Sequence, residues 1–150
     1  MSEQIILPDA VYTDDRGRIV SLPSFAVAGA TVIESFAGAV RGNHYHLNES
    51  HLMYVVSGLM IYIEEGLDEH LAVTEVGPGQ SVVSPPGVSH CTVFAEDTVF
   101  LALSDWDRKG DNYENEVVRV SPMEVRPEVA GHLTGIDRLI LPPAHLRKTT

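Results

Sequence analysis

The stretch Gly38-Ala39-Val40-Arg41-Gly42-Asn43-His44-Tyr45-His46-Leu47-Asn48-Glu49-Ser50-His51-Leu52-Met53-Tyr54-Val55-Val56-Ser57-Gly58 places three histidines within eight positions. His44 and His46 stand at i and i+2. In a strand alternate side chains share a face, so the two imidazoles project to one side about 7 Å apart. That spacing suits two ligands of one ion. His51 opens the next apolar run and can supply a third ligand from an adjacent position. Beyond this stretch, His90 follows the turn Pro85-Pro86-Gly87, begins another strand-like segment and can close the set. Neutral imidazole is the commonest metal ligand, and it titrates near physiological pH. The cluster therefore points to a metal site, a proton-transfer site, or both. The plain alternative is a surface hairpin rich in histidine, which fits a lone histidine better than four. His70 beside an acidic loop, and His132 and His145 near the C-terminus, are read as surface residues.

Outward from the cluster, Ile19 to Val120 reads as short strands separated by turn signals at roughly 8–12-residue intervals. The expected strands are Ile19–Leu22, Thr31–Phe36, Ala39–His46, His51–Glu64, His70–Val76, Ser81–Ser84, His90–Phe94, Thr98–Ser104 and Glu116–Val120. Gly58 interrupts the apolar segment Leu52–Ile63 and marks a bulge or a bend. Glu64 to Glu69 reads as a solvated hairpin loop, and Gly77-Pro78-Gly79 and Pro85-Pro86-Gly87 as turns. No amphipathic helix is expected between Ile19 and Val120. The pattern is that of an all-β sandwich or barrel. After Ser121 the composition changes. Pro122, Pro127, Pro142 and Pro143 divide a short irregular or partly helical tail, with a helical turn expected around Thr134–Leu141. One domain is expected over residues 1–150, with a core at about 19–120 and the tail at 121–150.

The chain's 150 residues suit one domain with a real core. The formal net charge is −11, which argues against nucleic acids and anionic membranes as partners because both select basic surfaces. It leaves room for an anionic small molecule, since one local arginine can bind a phosphate. The single Cys91 excludes an intrachain disulfide and fits a reducing compartment. The N-terminal Met-Ser-Glu-Gln carries no secretory pattern, and no apolar run approaches the ~20 residues of a membrane span. A cytoplasmic protein is the expectation.

The spacing Gly38-x5-His44-x-His46-x4-His51-x6-Gly58 resembles the first cupin motif, and Gly79-x5-Pro85-x-Gly87-x2-His90 resembles the second. The resemblance implies a double-stranded β-helix, the cupin jelly roll, with a divalent metal ion in the barrel mouth and a homodimeric assembly. Two positions depart from the pattern. His51 stands where the first motif has glutamate, and Phe94 where the second often has asparagine. With His51 in the glutamate's role, the implied ligands are His44, His46, His51 and His90. Such a set suits Zn, Fe, Mn, Ni or Cu without choosing among them. Glu49, two positions before His51, points away from it by strand parity unless a loop re-aims it, and is a weaker alternative ligand.

Arg41-Gly42-Asn43-His44-Tyr45-His46 is further similar to the sugar-nucleotide cupins, the 4-keto-6-deoxyhexose epimerases and ketoisomerases. Asp14-Asp15-Arg16-Gly17-Arg18-Ile19 is similar to their opening strand. This implies a nucleotide sugar as small-molecule substrate, Arg41 in its pocket and His44 as base. Isomerisation through an α-proton needs a base near the working pH and a cation for the enolate. Tyr45, Tyr54 and Tyr62 are the candidate acids. Tyr54 is carried with His44 and Arg41 as a catalytic candidate, although an apolar strand equally explains it as core. The alternative enzyme is an all-histidine dioxygenase, or a lyase or cyclase, lined by Met53, Val55, Met60, Phe94, Phe100 and Leu103. The non-enzymatic alternative is a ligand-binding or sensor cupin. Trp106 is either a stacking platform at the barrel mouth or a cover over the core edge. Cys91 alternates away from His90 and is expected to be buried and inert.

Overall fold

Alternation and turn chemistry act as expected along the middle of the chain. The computed structural model describes residues 4–139. Its strands are β1 (Ala10–Asp14), β2 (Gly17–Ser21), β3 (Gly29–Ser35), β4 (Val40–His46), β5 (His51–Ser57), β6 (Met60–Glu65), β7 (Leu71–Val76), β8 (Ser81–Ser84), β9 (His90–Phe94), β10 (Thr98–Ser104) and β11 (Val117–Arg119). They form a four-stranded sheet in the order β3-β10-β5-β8 and a five-stranded sheet in the order β11-β4-β9-β6-β7, both antiparallel, with β1 and β2 paired on their own. This is the expected all-β jelly roll.

The main core lies between the two sheets. Met53, Val55, Val82, Phe100 and Ala102 meet Met60, Tyr62, Val76 and Phe94 across the gap, all buried. Phe94 and Phe100 stack with centroids 5.6 Å apart. A second cluster covers the outside of the five-stranded sheet. There Ile61, Ile63, Cys91 and Val93, the alternate residues of β6 and β9, pack against Met123, Val129 and Leu133 of the tail. The tail is thus a lid on the back of the sheet whose front faces the site.

Several expectations need correction. Leu52–Ile63 is not one long bent strand but two strands in different sheets, β5 in the four-stranded sheet and β6 in the five-stranded one. Gly58, at φ +93°, makes the turn, and a Cβ there would sit 2.4 Å from the Asp97 carbonyl oxygen. A short helix, α1 (Asn112–Glu116), lies inside the region expected to be free of helix. The helical turn of the tail is a 3-10 turn at Pro127–His132, earlier than Thr134–Leu141. Proline at its start fixes φ and forgoes an N–H that has no partner there. Ile140, Leu141 and His145 lie outside the described residues. His70 and His132 are exposed. Among the described residues no helix is long and apolar enough to cross a membrane.

One irregularity aims the site. The β4–β9 register slips between Gly42 and His44, so Arg41 pairs with Thr92 and His44 with His90. Asn43 takes φ +56° at the slip, and its side chain turns outward to accept the Met123 N–H and to donate to Glu124. A bulge of this kind advances the strand by one residue. It brings Arg41 onto the same face as His44, where simple alternation would separate them.

Candidate functional site: a histidine-lined cavity

Two strands from one sheet and one from the other deliver four imidazoles to a single point. His44 and His46 come from β4, His90 opens β9, and His51 opens β5. All four are buried. Their ring centroids are separated by 4.8 Å (His44–His46), 4.9 Å (His44–His90), 4.9 Å (His46–His51), 5.1 Å (His51–His90) and 5.7 Å (His46–His90). An imidazole bound at about 2.1 Å has its centroid about 3.2 Å from the ion, so two ligands at ordinary bond angles stand roughly 4.5–5.2 Å apart. The quartet has that size. Two overlapping donor groups have ligand spacing, His44/His46/His90 and His46/Glu49/His51. Both ring nitrogens of His46 are buried without a hydrogen-bond partner, and a metal ion would satisfy one of them.

Glu49 is the residue that strand parity misplaces. It sits in the four-residue loop between β4 and β5, is fully buried, and points inward. Its Oε2 lies 3.3 Å from His46 Nδ1, close but not aligned as a hydrogen bond, and its Oε1 lies 3.4 Å from His51 Nδ1. Arg108 donates to the same carboxylate from Nε at 2.9 Å and from its terminal nitrogen. Burial alone would raise this carboxyl's pKa. The contacts from His46, His51 and Arg108 outweigh that and hold it well below the usual range. Burial lowers His44 to about 4, with help from the neighbouring imidazoles. Burial likewise lowers His51 and, further, His90. These rings are neutral at pH 7, the state a metal ligand requires.

His90 is oriented separately, its Nδ1 lying 2.9 Å from Ser84 Oγ and 3.3 Å from the Val88 carbonyl oxygen. His44 makes no side-chain hydrogen bond among the described residues. It faces Tyr113, whose ring centroid is 6.4 Å away, and Tyr113 in turn lies 6.1 Å from His46 and under the Arg108 guanidinium at 5.1 Å.

A cavity of about 500 Å³ opens onto the quartet. Its wall combines Ile33, Met53, Phe100 and Ala102 with Arg41, Arg108, Tyr113, Glu114 and Arg119. Arg41 holds the Ser35 hydroxyl at 2.8 Å and the Glu34 carbonyl oxygen at 3.3 Å, leaving its charge without a carboxylate partner among the described residues. Arg119 is paired with Glu114. Tyr54 is not part of the site. It is three residues from His51 on a regular strand, so it faces the other side of the sheet. Tyr62 is core, its hydroxyl donating to Glu64 at 2.8 Å. Cys91 is buried behind β9, and burial pushes its thiol up to about 12. Met53 and Phe100 line the cavity, whereas Val55, Met60 and Phe94 belong to the core beneath it. Trp106 lies outside it. Arg108, Tyr113 and Glu114 had no local pattern to reveal them.

Together, fold and site define a jelly roll with an imidazole-lined cavity between its sheets. Residues 33–104 match the family model described as Cupin domain. That stretch carries both motifs, and the match supports the cupin resemblance they imply. No curated protein matches it. Among solved structures, it is similar to a 3'-monoepimerase from Streptomyces bikiniensis in complex with dTDP-quinovose, at TM-score 0.74 and 17% identity, covering 91% of this chain and 78% of that one. It is also similar to a sugar 3,4-ketoisomerase from Thermoanaerobacterium thermosaccharolyticum in complex with TDP, at TM-score 0.65 and 16% identity, covering 79% and 90%. A dTDP-4-dehydrorhamnose 3,5-epimerase from Sulfolobus tokodaii follows, at TM-score 0.65 and 17% identity, covering 84% and 82%. At these identities the likeness carries the fold.

Proposed function

We propose that the protein is an isomerase or epimerase of a keto-sugar nucleotide, with a divalent metal ion held by His46, His51 and His90 and with His44 acting as base. The observation that carries this reading is the unequal backing of the four rings. Glu49 lies within 3.4 Å of Nδ1 of both His46 and His51, and Ser84 and Val88 lie against Nδ1 of His90, the side on which acceptors stand behind metal-bound imidazoles. His44 has no such partner. This separates the ligand and base roles and takes His44 out of the four-ligand set. It departs from the His44/His46/His90 spacing, so metal binding must draw His51 and His90 together around His46.

Bound there, the ion would polarise the substrate carbonyl and ease removal of the proton beside it. His44, neutral at pH 7, takes that proton from carbon. The electron pair moves onto the carbonyl oxygen. A proton returned to the opposite face of the same carbon completes an epimerisation. For an isomerisation the adjacent hydroxyl passes its proton to the enolate oxygen and becomes the new carbonyl as the former carbonyl carbon is protonated. A base held near pKa 4 is weak, so the enolate must be strongly stabilised, a task that also suits Arg108. Tyr113, raised by burial, stays protonated and replaces Tyr54 as candidate acid. Arg41 at the rim supplies the cation for a diphosphate. Two of the similar structures are complexes with TDP or dTDP-quinovose and the third is named for a dTDP sugar, which supports this substrate class.

Incubation with 4-keto-6-deoxyhexose nucleotides in D2O is expected to place deuterium beside the ketone. His44→Asn should retain metal and slow exchange by about 10²–10⁴-fold, whereas His46→Asn should lose metal. Absence of exchange across several nucleotide sugars overturns the activity, and oxygen uptake by the metal-loaded protein would assign the dioxygenase alternative.

A homodimer belongs to the same proposal. The β1–β2 hairpin exposes Val11, Tyr12 and Ile19, and β3 exposes Val32, apolar surface that a second copy would cover. Light scattering that returns a monomer mass removes it.

A further inference from the structure

We infer that Glu116 is a positioning residue for the imidazoles of His46 and His51, acting through the loop 47–50 and Glu49. Glu116 is the last residue of α1, seventy residues from His46 in sequence, and is 3% exposed. It accepts three successive backbone N–H groups. Its carbonyl oxygen takes Leu47 at 2.9 Å, and its Oε1 takes Glu49 at 2.5 Å together with Asn48. Its Oε2 also takes the Asn48 side-chain amide at 3.2 Å. No cation is hydrogen-bonded to it among the described residues.

A buried carboxylate is costly unless its hydrogen bonds are made, and the last turn of a helix is the end where negative charge is disfavoured. Local stability therefore gives little reason for glutamate here. The loop gives one. It crosses from β4 in the five-stranded sheet to β5 in the four-stranded sheet, and its N–H groups need acceptors inside the protein. By gathering them on one side, Glu116 turns the loop so that the Glu49 carboxylate points inward at His46 and His51. Glu49 then sets the two rings from behind, one on each sheet.

The test reads ring geometry first. In metal-free protein, long-range proton–nitrogen NMR reports each imidazole separately. Glu49→Gln marks the shifts that follow when the carboxylate itself is lost. Glu116→Ala is expected to move the His46 and His51 ring nitrogens toward the Glu49→Gln positions, leaving His90 in place, with Glu116→Gln restoring part of the wild-type pattern. Should the alanine variant fail to fold, Glu116→Asp, which keeps charge but withdraws the oxygens, reads the same shifts. A folded variant with a lowered melting temperature and unmoved His46 and His51 resonances overturns the inference. A second arm rests on the proposed metal site. Cobalt(II) affinity should fall about 10–100-fold in Glu116→Ala, with no further loss in the double variant with Glu49→Gln. Wild-type protein that takes up no cobalt sinks the metal reading, and the ring shifts still judge Glu116.

Discussion

Lowering the pH from 7.5 toward 4 is expected to remove several kcal/mol from the stability of the metal-free protein, most of it above pH 4.5. The cause is the histidine cluster. His44 has a folded pKa of about 4 against an ordinary 6.5, and His51 and His90 are lowered in the same direction by burial. A base whose folded pKa lies below its unfolded value is protonated first in the unfolded chain. Stability is therefore complete above pH 6.5 and falls as the pH drops toward the folded value. His44 alone contributes a loss on the order of 3 kcal/mol by pH 4, at about 1.4 kcal/mol per unit. Glu49 acts in a lower window. Its folded pKa is depressed, so its contribution holds above 4.5 and fades only below that. Against a total stability of about 5–15 kcal/mol, the histidine loss alone nears unfolding. Urea midpoints at pH 8, 6, 5 and 4 measure it. Midpoints unchanged between pH 7 and 5 would refute the buried neutral cluster.

Replacing Glu49 with leucine is expected to do two kinds of damage. Removing one partner of a buried ion pair costs about 3–5 kcal/mol, and the lower end applies because Arg108 retains 24% exposure. Metal affinity should fall about 10–100-fold as His46 and His51 lose the group behind them. Adding Arg108→Leu should restore part of the stability, since the unpaired cation goes, but none of the affinity. Denaturation curves and chelator competition separate the two effects. A Glu49→Leu protein that binds metal as tightly as wild type would show that the carboxylate plays no part in orienting the rings.

The contrast between Glu49 and the histidines shows what a sequence displays. Ser81–Ser84, His90–Phe94 and Thr98–Ser104 are strands at those bounds, because alternation and flanking turns are local signals. His44, His46, His51 and His90 converge because strand starts and parity place them. Parity says nothing about an irregular loop, and the loop that turns Glu49 inward takes its shape from Glu116, far along the chain. Arg41 shares a face with His44 only because of the bulge at Asn43. Arg108 lies in Asp105-Trp106-Asp107-Arg108, a run indistinguishable from a solvated loop, and α1 is too short to show a helical period. Tyr54 is the opposite case, since its odd spacing from His51 already set it on the far side of the sheet.

β9 is a partition one residue thick. His90 faces the cavity and Cys91, its neighbour, faces the tail. The protein's one thiol therefore sits directly behind a proposed metal ligand, sealed by Met123, Val129 and Leu133. Its rate of alkylation becomes a clock for how often the tail lifts from the sheet. Because the two faces share a strand, that clock, run with and without metal, also times how firmly the site grips the wall that carries it.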